Sequence, residues 1–408
     1  MSDPTGAQTP ASRKLLGVVG IGCALYGAFC AAVYAVNLSQ QPGSDFMVYY
    51  TAARAWLDGN LGLLYDGERL TAYLNTDFAA WLAKPLTYHA WVYPPHYLLL
   101  LIPFGLLPYA WAYAAFIAIT LAALLAAIWL WLARPGEILF YAAALMLSPA
   151  ALFDVGTGQN AFLTTAFLVA GFGLLPSRPL VGGMLLGLLT YKPQFWLMVP
   201  VALVAAHAWR AILGGVIGGV AALCLSAAVI GVDAWRHWII WAMSPPDAAY
   251  QVWVETARLH GEAIYTNLIS LGAPVVVASA GQWLAVLASA SCVGWCFSRT
   301  MPHDLRIAVV LAATFLAAPH VANYDAVLVV VAASVVVARG LADGFRRGEL
   351  LIPLAAWMIQ LFNPPTSFHF AVITPVLTAL LIACAIARAG AAAQPVDRAA
   401  LDTAPAVR

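Results

Sequence analysis

"GGMLLGLLTYKPQFWLMVPVALV", residues 182–204, is an apolar run with a single lysine in its middle. The chain holds only three lysines, at 14, 84 and 192, so this one stands out. A cation at membrane depth costs at least about 2.5–3.5 kcal/mol, and it normally faces a cavity or a partner. A lysine can also snorkel to an interface from a helix end. Pro193 creates such an end, because proline removes a helical donor and biases the residue before it away from the helical region. The spacing therefore predicts a break at Lys192–Pro193, with two short helices in place of one straight span. Lys192 is either an anion-binding group or a snorkelling end.

The composition around this run sets the class. Of 408 residues, 63% are hydrophobic and 9% charged, and the mean hydropathy is +0.85. Soluble domains carry about 25% charge, so this chain cannot coat itself for water. Apolar runs cover residues 96–133, 138–153, 161–175, 179–206, 211–231, 264–298, 307–318, 326–338, 350–362 and 369–387. An earlier run, 15–38, follows Arg13 and Lys14 and exceeds the roughly 7–15 apolar residues of a signal-peptide core, so it reads as a retained first transmembrane helix. The class is an all-α polytopic membrane protein with about 10–13 crossings. The net charge of +1 is uninformative about nucleic acid, but no basic run is longer than "FRRGE", which argues against a nucleic-acid partner. The six cysteines all fall inside apolar runs and read as packing residues. "GGVIGGVAA" (214–222) reads as close helix packing.

Basic residues set the orientation. Arg13, Lys14, Arg134, Arg178, Arg210, Arg299, Arg306, Arg339, Arg346, Arg347 and Arg388 share a cytoplasmic face, and the tail 389–408 is expected to be flexible. The opposite face then collects two long mixed stretches, 39–95 and 232–263, with "DVGTGQN" (154–160), "YKPQ" (191–194), "APHVANYD" (318–325) and "NPPTSFH" (363–369). This scheme requires 96–133 and 264–298 each to cross an odd number of times. Within 39–95, "DFMVYYTAARAWLDG" shows helical spacing, with Asp45 at an N-cap position and Asp58–Gly59 as the stop. A second amphipathic pattern runs from Glu68 to about Trp81. Both suit helices lying in the interface.

That face holds the candidate chemistry. Asp45 is either a helix cap or a carboxylate held to take a proton from a hydroxyl. Gln159 and Asn160 open a helix as neutral donors for sugar or phosphate oxygens, although capping explains Asn160 as well. Tyr93 and His96 flank the helix-initiating Pro94–Pro95 and either line a site or form part of an aromatic belt. His320 and Tyr324 sit one helical turn apart, with His320 a possible phosphate contact and Asp325 a cap or structural partner. Arg258 and His260 are the cations of "PPDAAYQVWVETARLHGEAIYTN" that could reach an anionic lipid headgroup, with solvated loop charge as the default reading. The metalloprotease His-Glu-x-x-His, Walker and Gly-x-Ser-x-Gly patterns are absent.

Motif order carries more than any single motif. "SDFMVYYTAARAWLDGNLGLLYD", "YPPHYLLLLIPFGLLPYAWAY", "GQNAFLTTAFLVAGFGLL", the opening stretch and "NYDAVLVV" follow one another as in glycosyltransferase family 87, which the chain resembles over residues 40–340. The resemblance implies the GT-C glycosyltransferase fold and a periplasm-facing site in a bacterial inner membrane. It implies a polyprenyl-phosphate sugar donor, mannose being the family's usual hexose, and inverting transfer to a lipid or glycan acceptor. Asp45 matches the general base. Assigning Lys192, Gln159, Asn160, His320 and Arg258 to the donor, and Tyr49, Tyr93, His96 and Tyr324 to the pocket lining, extends the motif match by inference. Some members carry a paired-histidine segment where this chain has His320 alone, so another hexose or a pentose stays open. No cofactor and no metal is expected, and the chain is taken as a monomer in contact with membrane lipid. The rival class is a transporter or flippase of a lipid-linked sugar. Transporters gather polar groups around broken midplane helices, whereas here they gather at one interface.

Overall fold

The structure is a computed structural model that describes residues 43–82, 85–244, 261–362 and 373–392, with positions 22, 25 and 28 of the first apolar run also helical. The rest of that first helix, Arg258, His260, the segment 363–369 and the tail beyond 392 lie outside the described residues.

Two helices fill the first long stretch, α1 (Ser44–Leu57) and α2 (Gly67–Asp77). They are followed by α3 (Pro95–Gly105), α4 (Tyr109–Trp131), α5 (Ile138–Met146), α6 (Pro149–Thr157) and α7 (Ala161–Gly173). Next come α8 (Pro179–Leu188), α9 (Met198–Ala205), α10 (Trp209–Val229) and α11 (Val232–Met243). The C-terminal part holds α12 (Ile264–Ser270), α13 (Val275–Phe297), α14 (His303–Ala317), α15 (Val327–Asp343), α16 (Leu351–Met358) and α17 (Ile373–Ala392). The helix α17 runs four residues into the segment expected to be a flexible tail. No strand longer than an isolated bridge, Gly261 to Ala322, occurs among the described residues.

Five helical segments are long and apolar enough to cross a membrane: α4, α10, α13, Asn323–Asp343 (which contains α15) and Ile373–Gly390 within α17. The pair α5–α6, bent by 64°, adds a sixth if it forms one span. Shorter apolar helices make up the rest of the hydrophobic chain. The protein is therefore an all-α, multi-pass membrane protein. Runs 96–133 and 264–298 each resolve into one 23-residue helix preceded by a short one.

Burial sorts these helices into two shells. In the Asn323–Asp343 segment 78% of the spanning window is buried, against 22–28% in α4, α10 and α13. The faces of the outer helices carry exposed Trp111, Ile119, Trp129, Leu213, Val220, Leu284 and Leu287. Such an apolar exterior suits hydrocarbon, where water would penalise it. Helices α14 and α15 form the centre, buried almost all round.

The Lys192–Pro193 break is present. The helix α8 tightens into a 3-10 turn, Leu189–Tyr191, Lys192 turns out at φ −123°, and a second 3-10 turn, Pro193–Trp196, leads to α9. Helix α8 crosses α10 through glycines on both sides. A side chain at Gly183 or Gly187 would collide with the α10 backbone, and one at Gly214 or Gly218 with that of α8. Dispersion and close backbone approach hold such crossings in a membrane.

One feature of the first stretch departs from expectation. Helix α1 does not lie half-exposed in an interface: Phe46, Met47, Val48, Tyr49, Thr51, Ala52, Ala53 and Ala55 are all buried. The small residues let it sink against α3, whose Gly105 abuts Ala53. It ends at Asp58 and Gly59 as its sequence indicates.

Replacing Gly187 with leucine is expected to destabilise the α8–α10 crossing by about 1–3 kcal/mol or more. Gly219→Ala, whose new methyl would sit 3.6 Å from its nearest neighbour, is expected to leave the melting temperature in detergent unchanged or raised. Thermal unfolding of the two variants checks this pair.

Candidate active site

The position of Asp45 is set by two glycines. Gly43 precedes α1 at φ 75°, and Gly158 follows α6 at φ 70°, both in the left-handed region where a Cβ is strained. They face each other: a side chain on Gly158 would strike Phe46 and approach Gly43, and one on Gly43 would meet Tyr109 and Tyr113 at 2.8 Å. The Gly43 N–H donates to Gly156 O at 2.8 Å, Tyr109 Oη donates to Gly43 O at 3.2 Å, and Tyr113 Oη donates to Val155 O. The start of α1 is thereby seated on the α6–α7 turn. Gly43, and not Asp45, is the N-cap; Asp45 is the second helical residue, and its carboxylate is half-buried near the turn.

Across that contact Gln159 Nε2 donates to Asp45 Oδ2 at 3.1 Å. Gln159 Oε1 accepts from Tyr49 Oη at 2.7 Å, from Asn160 N at 3.3 Å and from Tyr93 Oη at 3.4 Å. Tyr49 and Tyr93 hydroxyls lie 2.8 Å apart, and Asn160 Nδ2 donates to Tyr49 Oη at 3.3 Å. Burial pushes the Tyr49 pKa well above the usual tyrosine value, so this hydroxyl keeps its proton. Asp45, Tyr49, Tyr93, Gln159 and Asn160, five residues singled out from the sequence, thus form one hydrogen-bonded cluster.

Asp154 was not singled out, and it is fully buried. Its carboxylate accepts from Ala161 N at 3.0 Å and Phe162 N at 3.3 Å, so it caps α7 from seven residues upstream. Asn160 occupies the N-cap position without a side-chain capping bond. The capping explanation of Asn160 is therefore displaced: Asp154 does that work, and the Asn160 amide turns to Tyr49. An aspartate ahead of a Gly-Thr-Gly turn was the available signal.

Lys192 has a partner. Its Nζ lies 3.0 Å from Asp325 Oδ1, both side chains are about 95% buried, and the rings of Phe195 and Tyr324 lie 5.2 and 5.6 Å from it. Asp325 Oδ2 accepts from Ala322 N at 3.1 Å. A buried cation with a carboxylate and two ring faces is stabilised where a bare one would not be. The ion pair joins the break in the α8–α9 run to the start of the central helix. The charges of Lys192, Asp325 and Asp45 all reach the Tyr93 hydroxyl, which places the ion pair and the Asp45 cluster around one site.

His320 and Tyr324 do not share a helical turn. Ala322 is extended and bridges to Gly261, Glu262 N donates to Val321 O at 2.9 Å, and helical geometry starts only at Asn323. His320 sits half-buried in the preceding bend, with the charges of Asp325 and Lys192 acting on it. Glu262, also buried and not singled out from the sequence, accepts from Gln360 Nε2 at 2.8 Å. Among the described residues no three His, Cys, Asp or Glu side chains gather at a spacing that could hold a metal ion.

An apolar cavity of about 490 Å³ is lined by other residues than the five of the cluster. Its floor and walls come from α8, α9, α10 and α11, including Leu186, Val199, Leu203, Val220 and Trp235. His96 lines it too, stacked on Trp235 at 5.7 Å with Nε2 3.3 Å from Thr190 Oγ1. Pro94 and His96 follow Tyr93 in the chain, and Thr190 lies two residues before Lys192, so the cavity lining and the polar groups draw on the same two chain segments.

The site thus combines, in a multi-pass helical protein, a carboxylate held in a polar hydrogen-bonded cluster with a separate apolar groove. The chain belongs to glycosyltransferase family 87, whose family model matches residues 91–319. That span takes in Tyr93, His96, Gln159, Asn160, Lys192 and Arg258, and it ends one residue before His320. Asp45, Tyr49, Tyr324 and Asp325 lie outside it and join the site through the contacts above. No curated protein and no solved structure matches the chain.

Lys192→Met, which leaves Asp325 buried without a counter-charge, is expected to cost about 3–5 kcal/mol of stability. Adding Asp325→Asn, which keeps an acceptor for Ala322 N, is expected to restore most of that loss. Thermal melts of the single and double variants in detergent measure the difference.

Proposed function

We propose that this membrane glycosyltransferase takes a hexose, mannose first among candidates, from a polyprenyl-phosphate donor and transfers it to a lipid or glycan hydroxyl at the periplasmic face of the inner membrane. The observation that carries the reading is that Tyr93 of the Asp45 cluster and Pro94 and His96 of the apolar groove are neighbours on one chain segment. An amphiphilic donor needs both environments side by side: a dry channel for the isoprenoid chain and hydrogen-bonding groups for sugar and phosphate. The groove volume falls within the range of about 300–1,000 Å³ usual for ligand sites.

Asp45 acts as the general base. Its carboxylate takes the proton of the acceptor hydroxyl, and the oxygen attacks the anomeric carbon opposite the phosphate. The new C–O bond forms as the sugar–phosphate bond breaks, configuration inverts, and polyprenyl phosphate leaves as the anion. The donor is already activated by its phosphate, so the reaction calls for no nucleotide or other cofactor. Asn160 and His320 are assigned to sugar and phosphate oxygens, and Arg258 to the phosphate, on their chemistry alone. Lys192, neutralised by Asp325, contributes its remaining ammonium protons and its polarity to the phosphate side.

The test is transfer from a radiolabelled polyprenyl-phosphate hexose in membranes that contain the protein and a native lipid extract. A new labelled glycosidic product is expected, and Asp45→Asn is expected to lower its rate by about 10²–10⁴-fold while expression and melting temperature hold. Unchanged transfer by Asp45→Asn removes the base assignment. Movement of the labelled lipid across the bilayer with no glycosidic product overturns the transferase reading in favour of a flippase.

A further inference from the structure

We infer that Gln159 is a positioning residue for the Asp45 carboxylate, oriented by Tyr49, and not a group that meets sugar or phosphate. The inference rests on the reading of Asp45 as general base and adds the part that holds it ready.

The orientation of the Gln159 amide follows from what surrounds it. The backbone N–H of Asn160 can only donate, so the atom 3.3 Å from it is the amide oxygen. The ionised Asp45 carboxylate can only accept, so the atom 3.1 Å from it is the amide nitrogen. Tyr49 Oη, 2.7 Å from Oε1, supplies a second donor to the same end. A flipped amide would set oxygen against carboxylate and N–H₂ against N–H, two repulsive contacts in a buried place. Gln159 is 7% exposed and Asn160 is fully buried, so little water is at hand to satisfy the wrong orientation.

A donor fixed in this way does two things for a base. It confines the carboxylate to one rotamer at the start of α1. It also favours the ionised form, since a hydrogen bond to the charged state lowers a carboxyl pKa. Among the described residues, the titratable groups around Asp45 include Tyr49 on its own helix, Tyr93 ahead of α3, and Tyr324, which its charge also reaches. Tyr109 and Tyr113 of α4 lie against Gly43, and Lys192, Asp325 and Asp154 stand behind Tyr93 and Tyr324. Tyr49, Tyr93 and Asn160 hold the far end of the Gln159 amide, so the device reaches from the carboxylate through one amide into three further groups.

The experiment is the pH dependence of transfer for the full-length protein in membranes, using polyprenyl-phosphate hexose as donor. Gln159→Leu removes the donor to Asp45. The ionised base then loses stabilisation, its pKa rises, and the acidic limb of kcat/KM moves to higher pH by about half to one unit. A fall in kcat of roughly tenfold or more is expected, with the KM for donor changed less than about threefold. Tyr49→Phe is expected to move the same limb in the same direction by less, which keeps the inference testable should Gln159→Leu not fold. A raised donor KM with kcat kept would show that Gln159 binds substrate and overturn the inference. An unmoved acidic limb in both variants would overturn it as well, since a merely structural role lowers rate without shifting titration. Asp45→Asn separates the two claims: full transfer in that variant sinks the base reading itself, whereas its loss with unmoved limbs in the others sinks only the positioning role.

Discussion

The structure hangs on a buried ion pair between two segments that would otherwise be in conflict with their surroundings. Lys192 interrupts an apolar run, and Asp325 opens a helix buried on nearly all sides. Either charge alone would be costly in that environment. Together, with two aromatic faces on the ammonium and a backbone N–H on the carboxylate, they fix where the α8–α9 run bends and where α15 starts. The polar cluster is built on this frame: Tyr93 lies within reach of the pair, and Gln159 and Asp45 lie beyond it.

The architecture separates a rigid centre from an outer layer. Helices α14 and α15 carry β-branched and small residues that fill the interior, while α4, α10 and α13 turn large apolar side chains outward. The polar groups of the candidate site sit on short helices, 3-10 turns and the breaks between them, where backbone and side chains can satisfy one another inside protein. Helix α1 belongs to this inner set. Its alanines allow it to be enclosed, which turns the first loop from a surface feature into a wall of the site.

Much of the local structure was legible from residue types. Lys192–Pro193 announced a break, "GGVIGGVAA" announced a close crossing, Pro94–Pro95 a helix start, and Asp58–Gly59 a helix end. Each of these depends on neighbours in sequence, where proline, glycine and charge have direct steric or solvation consequences. The pairings were not legible. Gln159 meets Asp45 across 114 residues, and Lys192 meets Asp325 across 133. Periodicity says that such groups need partners without saying which. Asp45 was misplaced as a cap because the left-handed turn at Gly43 moves the helix start back by two residues. His320 was misplaced on a helical turn because extended pairing of Ala322 with Gly261 delays that helix.

The same separation in sequence has a consequence for how the chain is made. At about 5–20 residues per second, the 133 residues between Lys192 and Asp325 take on the order of ten seconds to synthesise. Lys192 therefore enters the translocation machinery and the bilayer long before its counter-ion exists. The nascent protein passes through a state in which its most costly charge is uncompensated, and only the arrival of α15 closes it. The proline that ends the helix beside this lysine keeps it at a break in the chain through that interval, until α15 brings the carboxylate with which it pairs in the folded protein.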